Sequence, residues 1–338
     1  MRRRWQLWAG LAISVVFLAL ALWNLRWPEV VEALRHADYP WLIPGVAVYM
    51  VGVLVRSWRW HYLLRPIQDV PSRKLFPVMA IGYFGNNVFP IRAGELLRIY
   101  LLKVFFAVPM SAGLATILVE RAFDGIVMLG FVFLNLPLLA GMTATPQAGL
   151  AIHTLALGGA VVFLGASLVL LLLAIFPARA AGVAQFGIDR VLPRTMRPRA
   201  RSLFDQFLLG LGALRSPIDV LMILGTSILI WLLETLKYWF VMHAFPFHVS
   251  FFVLMLMNGI VNLATTLPSA PGYLGTFDAP GIAVLEASGV RAGLAAGYTF
   301  VLHAALWLPI TLLGGYYLLR TGINLRTIQS DARREQQG

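Results

Sequence analysis

Residues 148–176 read AGLAIHTLALGGAVVFLGASLVLLLLAIF, a stretch of 29 residues without a charged side chain. A membrane-spanning helix needs about 20 mostly apolar residues, so this segment is long enough to cross a bilayer. The rest of the chain has the same character, because 59% of its 338 residues are hydrophobic and 12% are charged. A soluble domain is typically about 25% charged. The sequence therefore predicts an all-α polytopic membrane protein and excludes soluble enzymes and nucleic-acid-binding proteins.

Six apolar stretches are predicted to cross the membrane as helices. They are residues 7–25, 41–64, 117–140, 148–176, 218–241 and 292–319. The first follows three arginines and resembles a signal peptide. We interpret it as an uncleaved span, because Trp23 fits an interfacial position and the rest of the chain is polytopic.

Two further apolar stretches, 75–106 and 251–287, are broken by proline and glycine. The first break lies around residues 90–94 and the second around residues 267–280. Each half would be about 15 residues long, or roughly 22 Å, which is too short for the ~30 Å hydrocarbon core. Each stretch is therefore predicted to form a re-entrant helical hairpin that returns to the side from which it entered.

The charges of the loops predict the orientation. Segment 177–215 carries seven arginines and two aspartates, and the net charge of the whole chain is +12. Cytoplasmic loops collect Lys and Arg, so both termini, the basic segment 177–215 and the polar tail 321–338 are predicted to be cytoplasmic. We expect one membrane domain, residues 1–338, in the bacterial inner membrane.

The predicted layout contains an internal symmetry. Units 41–140 and 218–319 each consist of a span, a broken hairpin and a span, and they start on opposite sides of the membrane. Arg56 and Arg59 in the first unit have the same i, i+3 spacing as Glu234 and Lys237 in the second. Inverted repeats with interrupted helices are a sequence indication of a transporter binding site. Coincidental similarity between apolar segments is the alternative.

The first motif, residues 86–104, reads NNVFPIRAGELLRIYLLKV. Pro90 and Gly94 are predicted to break the helix, and Arg92 and Arg98 lie near the freed backbone N–H groups with Glu95 between them. A helix N-terminus attracts anions, and the planar guanidinium group suits phosphate. The motif therefore predicts a phosphate-binding site. The alternative is an interfacial cytoplasmic loop with surface charges.

The second motif, LVERAFDGIV at residues 118–127, places Glu120, Arg121 and Asp124 on neighbouring turns of one helix. Charges inside the membrane are expensive, so we expect these three to form a network with Arg92, Arg98 or Lys103. An interfacial helix cap is the alternative.

The third motif, residues 267–281, reads LPSAPGYLGTFDAPG. Its prolines and glycines exclude a helix, and irregular backbone at membrane depth has to be buried in protein or line a cavity. A plain extracellular loop is the alternative. No metal site or cofactor is expected, because the chain has no cysteine, its six histidines are scattered and no Walker-type phosphate loop occurs.

At these motifs the chain resembles the membrane (flippase-like) domain of the lysylphosphatidylglycerol synthase/flippase family, over roughly residues 10–320. The matching residues are Asn86, Pro90, Arg92, Gly94, Glu95 and Arg98, then Glu120, Arg121 and Asp124, then Pro268, Pro271, Gly272, Gly275 and Asp278. The family often has Glu where this chain has the shorter Asp278. The resemblance implies that these residues, Pro268 aside, contribute to a substrate-binding site.

In that family an aminoacyl-transferase domain modifies phosphatidylglycerol, and the membrane domain moves the product outward. We expect this chain to be a stand-alone form without the transferase domain, so synthase activity is not implied. The predicted function is an inner-membrane lipid translocase or lipid carrier for an anionic or phosphate-bearing lipid, with a membrane lipid as substrate and no catalytic residues. The alternatives are a membrane transferase acting on a lipid-linked substrate and a non-catalytic partner of a separately encoded lipid-modifying enzyme.

Overall fold

The computed structural model describes residues 14–16, 19, 27–89, 93–135, 146–265 and 270–321. Within these residues the secondary structure is entirely helical. The helices, numbered along the described chain, are α1 Trp27–Arg35, α2 Leu42–Leu64, α3 Ser72–Val88, α4 Ala93–Phe106, α5 Met110–Leu134, α6 Pro146–Ile175, α7 Pro177–Val191, α8 Arg197–Gly210, α9 Pro217–Met242, α10 Phe251–Ala264, α11 Asp278–Ala287 and α12 Ala292–Arg320. Short 3-10 turns occupy Tyr39–Trp41, Gly212–Arg215 and Pro271–Tyr273.

Proline and serine residues set the starts of several helices. Pro71 and Pro109 lie directly before α3 and α5 in extended backbone conformations. The Ser216 hydroxyl accepts a hydrogen bond from the N–H of Asp219 and thereby caps α9, and Ser250 caps α10 in the same way. A serine side chain at this position satisfies one of the N–H groups that the first helical turn leaves open.

Three helical segments of the described chain are long and apolar enough to cross a membrane, namely Tyr39–Leu64, Pro217–Met242 and Ala292–Arg320. Residues Val161–Ile175 and Pro177–Val191 add a fourth if they form a single span bent by 103°. The predicted span 117–140 corresponds to α5, which is 25 residues long but carries three charges near its middle. The predicted span 7–25 lies largely outside the described residues.

Both broken stretches are pairs of separate helices, but the breaks differ from the prediction. In the first, Ala93 and Gly94 were expected in the break, yet they form the first turn of α4. In the second, the expected irregular segment ends earlier, because α11 begins at Asp278 and includes Pro280. Proline is tolerated in the first turn of a helix, where its missing N–H has no partner to lose.

Two large apolar clusters and a smaller third one, formed by residues of α5, α9 and α10, make up the interior. One of the large clusters is built around α2, α3, α4 and α5, and the other around α9, α10, α11 and α12 together with α1. Helices α2 and α9 share the most extensive contact between any two elements, and α12 packs along α3. Leu306 on α12 packs against both clusters. The polar residues described below lie where the two clusters meet.

Candidate functional site

Helix α2 carries two arginines, Arg56 and Arg59, into the centre of the molecule. Arg59 is completely buried, and its guanidinium group contacts both α5 and α9. Its Nη1 donates to Asp124 Oδ1 at 2.6 Å and to the Ser227 hydroxyl at 2.8 Å, while its Nη2 lies 3.3 Å from Glu120 Oε1. Trp231 on α9 also donates its indole N–H to Asp124 at 3.0 Å.

Glu120 on α5 collects three arginines. Arg98 from α4 donates to its two carboxylate oxygens at 2.9 and 3.3 Å, and Arg121 donates to Oε1 at 2.7 Å. Arg98 also lies over the ring of Trp60, 4.2 Å from the centroid. Glu95 and Arg98, neighbours on one helix face, do not pair with each other. Glu95 Oε1 lies instead 3.7 Å from Nε of Arg121. We call Arg59, Arg98, Arg121, Glu95, Glu120 and Asp124 the first charge cluster.

A second charge cluster consists of Arg56, Glu234 and Lys237. Arg56 Nη1 donates to Glu234 Oε1 at 2.8 Å, and the Lys237 ammonium group contacts the other oxygen of the same carboxylate. Lys237 also lies 4.3 Å from the centre of the Tyr49 ring. All three side chains are buried. Two buried cations, Arg56 and Lys237, therefore share the single carboxylate of Glu234.

A cavity of about 170 Å³ lies between the two charge clusters. Its wall combines charged groups, amides and aromatic rings from both halves of the chain. The principal lining residues are Tyr49, Arg56, Tyr83, Asn86, Asn87, Glu95, Arg98, Arg121, Asp124, Trp231, Glu234, Lys237, Tyr238, Asn262, Gly272, Tyr273, Phe277, His303 and Trp307. Concave sites with a few convergent polar groups are the usual form of a ligand-binding site.

The charges around this cavity do not cancel. The first charge cluster has three cations and three carboxylates, whereas the second has two cations and one carboxylate. The described ionised groups of the two clusters therefore leave one net positive charge. In the low-dielectric interior of a membrane protein such an excess favours binding of an anion.

Several polar atoms of the cavity residues lack hydrogen-bond partners within the described chain. They are Nε of Arg98, Nε of Arg121 and Oδ1 of Asn86, all of which are buried. Arg121 Nε has only the ionic contact with Glu95 at 3.7 Å, which is too long for a hydrogen bond. Buried polar groups are normally paired, so unpaired ones next to a cavity indicate a place for a ligand or water.

The Pro/Gly loop closes one wall of the cavity. Gly272 and Tyr273 both have left-handed backbones, with φ of 72° and 60°. His303 on α12 holds this loop, since its Nδ1 lies 2.8 Å from Asp278 Oδ1 and its Nε2 lies 2.7 Å from the Gly272 carbonyl oxygen. The other oxygen of Asp278 accepts from the Gly275 N–H at 2.9 Å. Asp278 thus fixes the loop from behind the cavity wall.

Gly94 brings α3 and α4 together on another wall. A Cβ at Gly94 would lie 1.8 Å from the Gly82 carbonyl oxygen and 2.6 Å from Oδ1 of Asn86. Gly94 has no positive φ, unlike Gly272, Gly275 and Gly289 in the described chain. Its role is therefore close helix contact rather than a turn.

The structure sorts the predicted site residues into three groups. Asn86, Glu95, Arg98, Arg121, Asp124 and Gly272 line the cavity. Glu120, Gly94, Gly275 and Asp278 support it from behind through the contacts given above, and Pro271 begins the 3-10 turn of the loop. Pro90, Arg92 and Pro268 lie outside the described residues. The predicted partner Lys103 is exposed near the end of α4.

Sequence reasoning missed several residues of the site. Arg56, Glu234 and Lys237 were noticed only as marks of symmetry, although charged residues in an apolar span are themselves a signal of function. His303 carried the same signal, as a histidine inside the apolar segment 292–319. Tyr49, Tyr83 and Trp307 gave no signal, because aromatic residues are common in membrane helices and only the tertiary structure shows which of them face a cavity.

Comparison with known proteins gives a family. The profile described as "Lysylphosphatidylglycerol synthase TM region" matches residues 7–314. A UPF0104 membrane protein of Methanothermobacter thermautotrophicus is 27% identical over 86% of this chain and 88% of its own length. Another, from Pyrococcus horikoshii, is 24% identical over 91% of this chain and 95% of its own. No solved structure matches the chain.

A longer relative carries a different description. It is named glycosyltransferase AglD, from Haloferax volcanii, and is 26% identical over 96% of this chain but only 56% of its own length. All three of these relatives come from archaea.

Proposed function

The chain belongs to the family of the lysylphosphatidylglycerol synthase transmembrane region, and we propose on this premise that it binds a phosphate-bearing lipid in the cavity and carries it through the membrane. The protein is an all-helical membrane protein. The observation that carries the proposal is a pair of buried Nε–H groups at the cavity wall, on Arg98 and Arg121, which have no hydrogen-bond partner among the described residues. Guanidinium N–H groups suit phosphate oxygens, and Arg is a preferred phosphate ligand.

The net charge around the cavity supports binding of a headgroup with a single negative charge. One net positive charge matches one phosphodiester, whose charge is −1. The amide of Asn86 and the aromatic rings of Trp307 and Tyr273 would contact the part of the headgroup beyond the phosphate. The acyl chains would remain in the bilayer, since a cavity of this size accommodates a headgroup rather than a whole lipid.

The fold supports transport through an inverted repeat. The α3–α4 pair and the α10–α11 pair are both broken helices, and each contributes residues to the same cavity. The i, i+3 pairs that marked the predicted symmetry also meet, because Arg56 contacts Glu234 at 2.8 Å. In transporters with inverted repeats, the interrupted helices of the two halves meet at the binding site. We extend the proposal to re-entrant hairpins, six crossings and cytoplasmic termini.

Transport fits the site better than covalent chemistry does. Glu120 and Asp124 are the carboxylates that a membrane transferase would use as base or metal ligand. Each of them is held by at least two arginines and is buried behind or at the wall. A carboxylate neutralised in this way is a poor proton acceptor.

Lipid transfer in vesicles tests the proposal. Purified protein is reconstituted with labelled phosphatidylglycerol, and an impermeant quencher reports the labelled lipid on the outer surface. We expect Arg121→Gln to slow transfer at least tenfold and Arg121→Lys to slow it as well, because Lys lacks the planar fork.

Arg65→Gln is the matched control, since Arg65 is a half-exposed arginine paired with Asp219 at 3.2 Å and lies outside the cavity. It should transfer lipid at the wild-type rate. Equal rates in the wild type and both Arg121 variants would remove the phosphate site from this cavity. Transfer of a phosphate-free glycolipid at the same rate as phosphatidylglycerol would show that phosphate is not recognised.

A further inference from the structure

Helix α7 differs in composition and direction from α6, the helix directly before it. Helix α6 is free of charged residues, but the chain bends by 103° after Ile175, and α7 then carries Arg179, Asp189 and Arg190 in 15 residues. If α6 crosses the membrane, a helix at this angle runs along the membrane plane. None of the residues of α7 is fully buried, so most of its surface faces away from the protein.

The outward face of α7 mixes apolar and basic side chains. Arg179, Val183, Phe186 and Arg190 follow a spacing of four, three and four residues, which places them on one stripe of the helix. Val183 and Phe186 are 74% and 68% exposed. The opposite side of α7 is anchored, because Ala180 and Ala181 pack against the first apolar cluster.

The orientation of this face is fixed by the turn that follows. Arg201 donates to both carboxylate oxygens of Asp189 at 2.7 Å, and Arg197 donates to the backbone carbonyls of Asp189 and Leu192. These two arginines therefore hold α7 against α8. Arg190 and Arg194 are exposed and have no hydrogen bond or ion pair with the described part of the chain.

We propose that α7 is an in-plane helix that binds the headgroup region of an anionic bilayer surface. Exposed Val and Phe side chains favour the apolar side of the interface, whereas arginines are expensive in the hydrocarbon core and reach toward phosphates. The stripe satisfies both preferences only where the hydrocarbon core meets the lipid headgroups. Its uncompensated arginines are complementary to anionic lipid rather than to zwitterionic lipid. The inference does not depend on the proposed lipid transport.

Depth measurements test the position of the helix. The chain contains no cysteine, so single cysteines at Val183 and Phe186 can carry an environment-sensitive fluorophore in the full-length protein, with Gln185→Cys as the control on another face. In vesicles of mixed phosphatidylglycerol and phosphatidylcholine, we expect nitroxide lipids labelled near the headgroup to quench positions 183 and 186 most strongly, and position 185 weakly.

Two results would contradict the proposal. Stronger quenching by lipids labelled at the chain ends would make α7 the second half of a bent span. Absence of quenching at both positions would mean that this face of α7 contacts water or a protein partner instead of lipid.

Charge removal tests the lipid preference. We measure how strongly the lipids around position 186 prefer phosphatidylglycerol to phosphatidylcholine. The double variant Arg179→Gln/Arg190→Gln should reduce this preference by roughly fivefold for each arginine removed, as expected for cations at an anionic surface. Arg35→Gln/Arg291→Gln removes two exposed arginines elsewhere and should leave this preference at position 186 unchanged. Equal effects of the two double variants, or an unchanged preference in the first, would overturn the proposal. Both must retain the wild-type melting temperature for the comparison to be made.

Discussion

Arg59 is the residue that ties the helices of the site together. It joins α2 to α5 through Asp124 and to α9 through Ser227, and it is fully buried. Removing one partner of a buried ion pair leaves an uncompensated charge and costs about 3–5 kcal/mol. We therefore expect Arg59→Ala to lower the melting temperature of the purified protein strongly, or to prevent its accumulation.

Arg65 provides the contrast for this prediction. It directly follows the last residue of α2 and pairs with the buried Asp219, but its own side chain is about half exposed. Solvent screens such a guanidinium group, and a solvent-screened pair contributes about 0–1 kcal/mol. Arg65→Ala should therefore melt close to the wild type. Similar melting temperatures for both alanine variants would mean that the Arg59 pairs are solvated in the membrane.

His303 is a second residue whose chemistry follows from its neighbours. Its two ring nitrogens face a carboxylate oxygen and a carbonyl oxygen, and both of these only accept hydrogen bonds. The ring therefore bridges the Asp278 carboxylate and the Gly272 carbonyl, with one nitrogen facing each of them. Glutamine has one donor nitrogen and cannot make both contacts.

The Pro/Gly loop should loosen when His303 is replaced by glutamine. His303→Gln should increase amide hydrogen exchange within residues 272–278, because one of the two contacts is lost. His36→Gln is the control, since His36 directly follows α1, is exposed, and its ring has a hydrogen bond only to the Glu32 carbonyl among the described residues. Unchanged exchange in the His303 variant would show that the loop is held by its backbone alone.

At the scale of elements, the contact between α3 and α4 depends on glycine. A Cβ at position 94 would collide with the Gly82 carbonyl, so Gly94→Ala should push the helices apart, displace Asn86 and Arg98 and lower the melting temperature. Gly130 in α5 has nothing within 4 Å of its Cβ position. Gly130→Ala should be neutral or stabilising by up to about 1 kcal/mol, because alanine favours a helix interior. Equal melting of the two variants would contradict the close contact.

The helices were predictable from sequence to different degrees. Long apolar runs give the spans of α2, α9 and α12 within two residues at each end, because the requirement for apolar length is strong. The exact breaks were not predictable, since Gly94 was interpreted as a turn residue whereas it permits a close approach between two helices. That distinction depends on the position of Gly82, which lies 12 residues away on another helix.

The charged site was predictable only in part for a related reason. The charges of α4 and α5 stand out because they fall within conspicuous motifs. Their partner Arg59 lies in an ordinary span next to Trp58 and Trp60, where it resembles an interfacial anchor. Its contact with Asp124 bridges 65 positions of sequence, and local patterns carry no information about pairs at that separation.

At the scale of the whole molecule, the loops sort to two ends. The backbone of Asp38 donates to the Ala244 carbonyl at 2.8 Å, which joins two loops predicted to be external. Arg65 pairs with Asp219, the second residue of the predicted span 218–241, which joins the end of α2 to the end of α9 that follows the predicted cytoplasmic segment 177–215. These contacts define the two ends of the molecule, and we propose from the loop charges that the end with Arg65 is cytoplasmic.

Cysteine labelling tests that orientation in intact cells. Cysteines introduced at Pro246, which is exposed, and at Ala144, outside the described residues, should react with an impermeant thiol reagent. A cysteine at Ala200 should react only with a permeant reagent or after lysis. Labelling of position 200 by the impermeant reagent would reverse the orientation.

We propose that the cavity between the two charge clusters holds a phosphate-bearing lipid, and the decisive measurement is to identify the lipid that the purified protein retains. Mass spectrometry of the wild type and of Arg65→Gln should find a phosphate-bearing lipid in near-stoichiometric amount. The same lipid should be lost at least tenfold from folded Arg121→Gln. Retention of a phosphate-free lipid, or equal retention of the phospholipid by all three proteins, would contradict the account.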